Sequence, residues 1–140
     1  MRYQPLPATF YCQARANFMA QMQGNSLAVF NSNDVYPISA DSTLPFAQHR
    51  DIFYLSGVDQ EESILVLFPK AIEAKHREIL FVRETNAHIA VWEGAKLTKE
   101  QATKLTGIET VYWLSDFERI FQELATQCDT FYFNTNEHYR

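Results

Sequence analysis

The residues able to do chemistry in this chain are scattered, and none of the familiar spacings collects them. His88 and Glu93 bracket a stretch that could offer metal ligands, but they do not follow a pattern such as H-E-x-x-H. They read as surface or capping residues. His49 stands beside Arg50 and Asp51, the raw material of a general base. A base also needs a substrate pocket and an orienting partner, and neither is visible in sequence. Ser26, Ser39, Ser42 and Ser56 lack the G-x-S-x-G setting that exposes a nucleophilic hydroxyl. The four glycines of the chain cannot build a phosphate-cradling loop. Cys12 and Cys128 lie far apart and read as two reduced thiols on or beside apolar helix faces.

Two stretches are unusual enough to single out. Residues 39–57 combine a polar loop with an aromatic-rich segment that ends in Gly57. Val91-Trp92-Glu93-Gly94 places a large aromatic just ahead of a helix start. Residue chemistry alone assigns Phe53 and Tyr54 to core packing, since aromatics dominate interiors. It makes Trp92 the anchor of a surface loop.

The elements that would position these residues follow from periodicity. Phe10, Ala14, Phe18 and Met22 recur every four positions, predicting an amphipathic helix over 7–22 with Gln13, Arg15, Asn17 and Gln21 on its other faces. The apolar runs 27–30, 64–68 and 79–82 read as strands buried on both faces, with Pro69 stopping the second. Residues 31–43, rich in Asn, Asp and Ser, read as a loop. Thr98 with Gln101, and Ser115 with Glu118, each fit a capping box. The first opens a helix through Leu105 closed by Gly107. The second opens a helix burying Phe117, Ile120, Phe121, Leu124, Ala125 and Cys128. Residues 110–113 and 130–133 are strand-like. Strands alternating with helices make an α/β domain with a largely covered sheet.

Bulk properties bound the function. At 140 residues the chain is one domain with one core. Its 46% hydrophobic content is enough to fold that core. A net charge of −5 with dispersed basic residues, Lys70, Lys75 and Arg77 being the nearest to a cluster, argues against nucleic acid as a partner. No run of signal-peptide length and nothing near the ~20 apolar residues of a membrane span is present, so a cytoplasmic location without membrane contact is expected.

The singled-out stretches resemble the N-terminal domain of the aminopeptidase P, prolidase and creatinase family. The resemblance is carried by Ser39-Ala40-Asp41-Ser42, Phe46-Ala47-Gln48, Asp51-Ile52-Phe53-Tyr54-Leu55-Ser56-Gly57 and the strand Ile64-Leu65-Val66-Leu67. Further on, Leu80-Phe81-Val82-Arg83 and Trp92-Glu93-Gly94 match in order and spacing. Ala47 stands where the family usually has Arg, Ile52 where it has an aromatic, and Ala90 where it often has an acidic residue.

The resemblance implies a mixed β-sheet flanked by helices, of ribonuclease-H-like topology. Nuclease activity does not come with it, because the runs 27–30, 64–68 and 79–82 carry no carboxylate to hold metals. It implies that residues 1–140 are the non-catalytic N-terminal domain of an Xaa-Pro aminopeptidase. The chemistry would lie in a following pita-bread domain, where two Asp, two Glu and a His hold a pair of metal ions, usually manganese. A metal-bridging hydroxide there attacks the bond before proline in a peptide substrate. The implied partners are that C-terminal catalytic domain and further copies in a dimer or tetramer. Asp41 and Trp92 match the parts that approach the substrate cleft. The alternatives are the corresponding domain of a prolidase and a non-catalytic protein-binding module of the same fold.

Overall fold

The computed structural model describes residues 6–33, 37–39, 42–43 and 47–134. Helix α1 (Ala8–Gln21) leads into strand β1 (Ser26–Asn31), followed by the short strands β2 (Pro37–Ser39) and β3 (Ser42–Thr43). Helix α2 (Arg50–Ser56), strand β4 (Ile64–Leu67) and strand β5 (Glu78–Val82) come next. Helices α3 (Ala87–Glu93) and α4 (Lys99–Thr106), strand β6 (Thr110–Trp113), helix α5 (Phe117–Ala125) and strand β7 (Thr130–Phe133) complete the order.

Five strands form one mixed sheet in the order β6-β5-β4-β1-β7. The β5–β6 and β1–β7 pairs are parallel, while β4 runs antiparallel to both its neighbours. The mixed sheet flanked by helices is the expected fold class. Alternation within the apolar runs explains why both faces are covered. Ala28, Phe30, Leu65, Leu67, Leu80 and Val82 pack with Ala14, Ile52, Leu55 and Ala102 of α1, α2 and α4. Their neighbours Leu27, Val29, Val66, Phe68, Ile79 and Phe81 pack with Ile120 and Leu124 of α5.

Several local expectations need correction. The stretch 31–43 is not simply a loop, since β2 and β3 pair antiparallel within it. Segments 50–56 and 87–93 are helical, each started by a polar side chain. His49 Nδ1 accepts from Asp51 N at 3.1 Å, and Asn86 Oδ1 accepts from Ile89 N at 2.9 Å. His49 is thus a helix cap and not a poised base. Tyr54, assigned to the core, is 56% exposed on α2 and meets Phe10 edge-on.

The largest reversal is at Arg15, placed by periodicity on an outer face but fully buried. Helix α1 crosses the C-terminal ends of α2 and α4, where carbonyls have run out of helical partners. Arg15 Nη1 donates to Leu55 O at 2.9 Å and Nη2 donates to Thr106 O at 2.7 Å. Its Nε lies 3.3 Å from Glu78 Oε1, an ion pair whose N–H is not aligned as a hydrogen bond. One guanidinium therefore caps two helices and ties both to the sheet.

The two capping boxes part company. Thr98 and Gln101 make both reciprocal bonds at the start of α4. Ser115 instead lies in a 3₁₀ turn (Leu114–Asp116), and α5 begins without a side-chain cap. Thr98→Ala should therefore cost about 1 kcal/mol of stability, a usual price for a lost N-cap. Ser115→Ala should cost a few tenths at most, within the range of ordinary surface changes. Denaturant melts of the two variants side by side check this; equal losses would mean that α5 has a cap at Ser115 after all.

Candidate functional site

Strand directions gather one set of polar residues at a single end of the sheet. Strands β1, β5, β6 and β7 all finish there and antiparallel β4 starts there. Open α/β sheets place ligands at the carboxyl ends of their strands. The turn before β4 brings Gln60, Glu61 and Glu62 to this end, and β5 delivers Arg83.

Charges in this group are paired. Lys96 Nζ donates to Glu61 Oε1 at 2.6 Å, and Arg83 Nη1 approaches the same carboxylate at 4.0 Å. Arg83 Nε lies 3.5 Å from Glu62 Oε2. Burial by itself raises the Glu61 carboxyl. The Lys96 hydrogen bond, a local backbone bond and the charges of Lys96 and Arg83 outweigh it, so the group titrates below its ordinary value. Glu62 holds φ at 55°, the left-handed region that side chains with a Cβ pay to enter. The turn is bent to a fixed shape.

Amides lock the same turn from beneath. Gln48 Nε2 donates to Val58 O and Gln60 O, both at 3.0 Å, while its Oε1 accepts from His49 N at 2.9 Å. Asn33 Nδ2 donates to Ala47 O at 3.0 Å. Gln60 Oε1 accepts from Leu97 N at 3.0 Å, yet its buried Nε2 has no acceptor among the described residues. Gln48, one residue of the family-like segment, is a staple between loops.

Trp92 stands on the last turn of α3, not on a loop, because the Asn86 cap extends a helix through Glu93. It is 79% exposed beside Val91 at 77%. Trp92 is therefore outside the core, and α3 starts four residues after Arg83, which follows the last residue of β5. Asp41 lies outside the described residues, so the two candidate cleft residues are not brought together here. Glu61, Arg83, Lys96 and Gln60 were missed as site residues. Arg83 was visible only as the end of a strand motif, and the Glu61-Glu62 pair carried no spacing signal.

This end of the sheet offers an exposed apolar knob and a set of internally satisfied charges. Among the described residues no three His, Cys, Asp or Glu side chains gather to hold a metal ion, and no helix is long and apolar enough to cross a membrane. Both cysteines are free thiols, half-buried.

Comparison with known proteins places this architecture. Residues 11–132 match the sequence family described as "Aminopeptidase P, N-terminal domain". The Xaa-Pro aminopeptidase of Escherichia coli (strain K12) is 27% identical over 124 residues, covering 89% of this chain and 28% of that protein. Xaa-Pro aminopeptidase 3 of Homo sapiens is 29% identical over 105 residues, covering 74% of this chain and 21% of that protein. The structure of Pseudomonas aeruginosa aminopeptidase PepP superposes with a TM-score of 0.85 at 25% identity, over 96% of this chain and 30% of that one. The chain thus spans under a third of the length of the relatives it matches.

Proposed function

The chain belongs to the aminopeptidase P N-terminal domain family, and from that premise we propose that it is the non-catalytic N-terminal part of an Xaa-Pro aminopeptidase. The observation carrying this reading is the family match over residues 11–132, set against relatives more than three times as long. In this role the domain walls the cleft that takes a proline-containing peptide and takes part in a cytoplasmic dimer or tetramer. The described residues do not fit a pair of manganese ions, for they supply no cluster of ligands. Metal binding would belong to the catalytic domain that follows.

What this chain's own residues contribute is surface. The exposed indole of Trp92 is suited to pack on the flat, apolar ring of proline or on the residues after it, excluding water on one side of the peptide. The Glu61–Lys96 and Arg83–Glu62 pairs hold the neighbouring turn in place. Ion pairs already satisfied within the domain leave the indole as the principal contact.

Purified 1–140 should release no N-terminal residue from an Xaa-Pro peptide, with or without added manganese. Metal-dependent hydrolysis by this chain alone would sink the reading. A single variant tests the cleft role: Trp92→Ala should leave the melting point of the isolated domain nearly unchanged. In the full-length enzyme it should slow peptide turnover about tenfold, equivalent to ~1.4 kcal/mol of transition-state stabilisation. Unchanged turnover would remove Trp92 from the cleft, and a large fall in domain stability would make it structural.

A further inference from the structure

Helices α1 and α2 turn stripes of side chains toward each other. Ala14, Phe18 and Gln21 follow one another at helical spacing on α1, and Asp51, Tyr54 and Leu55 do so on α2. A cleft of about 300 Å³ opens between the stripes, with Phe30 of β1 among its walls. Its interior is apolar. Ala14, Phe30 and Leu55 are buried, and Phe18 sets its ring edge-on to Phe30 at 5.3 Å between centroids. The exposed ring of Tyr54 completes the aromatic lining.

The charge at this cleft is negative and unmatched. Asp51 is the only charged side chain among the described residues that line it. Its carboxylate lies 3.9 Å from His49 Nδ1, but that nitrogen accepts from Asp51 N and so carries no proton. Among the described residues no lysine or arginine pairs with Asp51. Aromatic faces attract cations through their quadrupoles, and a carboxylate forms its strongest hydrogen bonds with charged donors. An anion would be repelled here, and a purely apolar ligand would gain nothing from the carboxylate.

We propose that this cleft binds the basic side chain of a peptide, with its aliphatic stem along Ala14, Leu55 and the phenylalanines and its cation at Asp51 and Tyr54. The volume is at the lower end of the range for small-ligand sites, which suits one extended side chain. The amides of Asn17 and Gln21 also line the cleft and can bond to a peptide backbone, which favours a peptide over a free amine. Asn17 Oδ1 already accepts from Gln13 Nε2 at 2.8 Å, leaving its own N–H groups to donate. The proposal stands apart from the peptidase reading, since it draws on neither Trp92 nor a catalytic domain.

Saturation-transfer NMR on the intact protein tests it with N-acetyl-lysine methylamide and N-acetyl-norleucine methylamide, which keeps the stem without the charge. Both are acetylated, so neither offers the free amino terminus that an aminopeptidase cleft takes. The lysine compound should bind about tenfold more tightly, and Asp51→Asn should remove most of that preference. Should Asp51→Asn disturb α2, Tyr54→Leu gives a second variant, expected to weaken the lysine compound about two- to fivefold. Butylammonium, with the same stem and charge but no backbone, should bind several-fold more weakly. Equal affinity for the lysine and norleucine compounds, no saturable signal, or binding that both variants leave unchanged would overturn the proposal. Butylammonium binding as well as the lysine compound would assign the cleft to free amines and overturn it too. None of these outcomes bears on the peptidase reading, which the hydrolysis assay tests by itself.

Discussion

Arg15→Leu should destabilise the domain by about 3–5 kcal/mol, the scale observed when one partner of a buried charged group is removed. The side chain is completely buried, so nothing replaces it from solvent. Its loss strands Leu55 O and Thr106 O, each the acceptor of a charge-assisted hydrogen bond, and leaves the Glu78 carboxylate facing an apolar side chain. A small domain has roughly 5–15 kcal/mol of stability in all, so much of the population should unfold at moderate denaturant. Arg15→Lys separates charge from geometry. An ammonium can keep one contact, but it cannot span two carbonyls and a carboxylate with a planar fork, so most of the loss should persist. A denaturant midpoint for Arg15→Leu close to that of the native chain would show that α1, α2 and α4 are held by apolar packing alone.

Gly107→Val is expected to be nearly as damaging, for two separable reasons. Gly107 ends α4 with φ at 79°, where a Cβ clashes with the backbone at a cost of about 1–2 kcal/mol. A Cβ here would also run into Cys12 Sγ on α1, which packs against this turn. Overfilling a packed contact costs about 1–3 kcal/mol more. Urea melts of Gly107→Ala with and without Cys12→Ala divide the two contributions: the double variant should recover the steric part but not the backbone part. Full recovery would mean that the left-handed turn is not needed. The same device appears at Gly57, which ends α2 at φ 79°, with Tyr11 Cζ 2.6 Å from where a Cβ would lie. Helix α1 thus lies against the terminal glycines of two helices while Arg15 satisfies their carbonyls. The glycine closing the family-like segment 51–57 is required by this crossing.

How much of this was legible in sequence varies with the range of the interaction involved. Strands β1, β4 and β5 were evident because a sheet covered on both sides imposes continuous apolar runs on its central members, and the edge strands β6 and β7 because they are short runs of aromatic and β-branched residues. The Thr98 cap and the Gly107 stop were also evident, since each depends on residues within a few positions of one another. The short helices α2 and α3 were not: with seven residues each they offer too few turns for a periodic signal, and their starts rest on single His and Asn caps.

By itself the sequence determined the fold class, the order of the main elements and the family resemblance, because local patterning and motif order are properties of the chain. Only the tertiary structure decided that Arg15 belongs in the interior. Its acceptors lie 40 and 91 positions away, and no periodicity within α1 reports where the ends of α2 and α4 will be. The grouping of Glu61, Glu62, Arg83 and Lys96 was decided the same way, by strand order bringing distant segments to one end of the sheet. So was the exposure of Phe131 and Phe133 on edge strand β7. Their apolar character is written in sequence, but whether a strand is flanked by a neighbour or left at an edge is settled only when the sheet assembles.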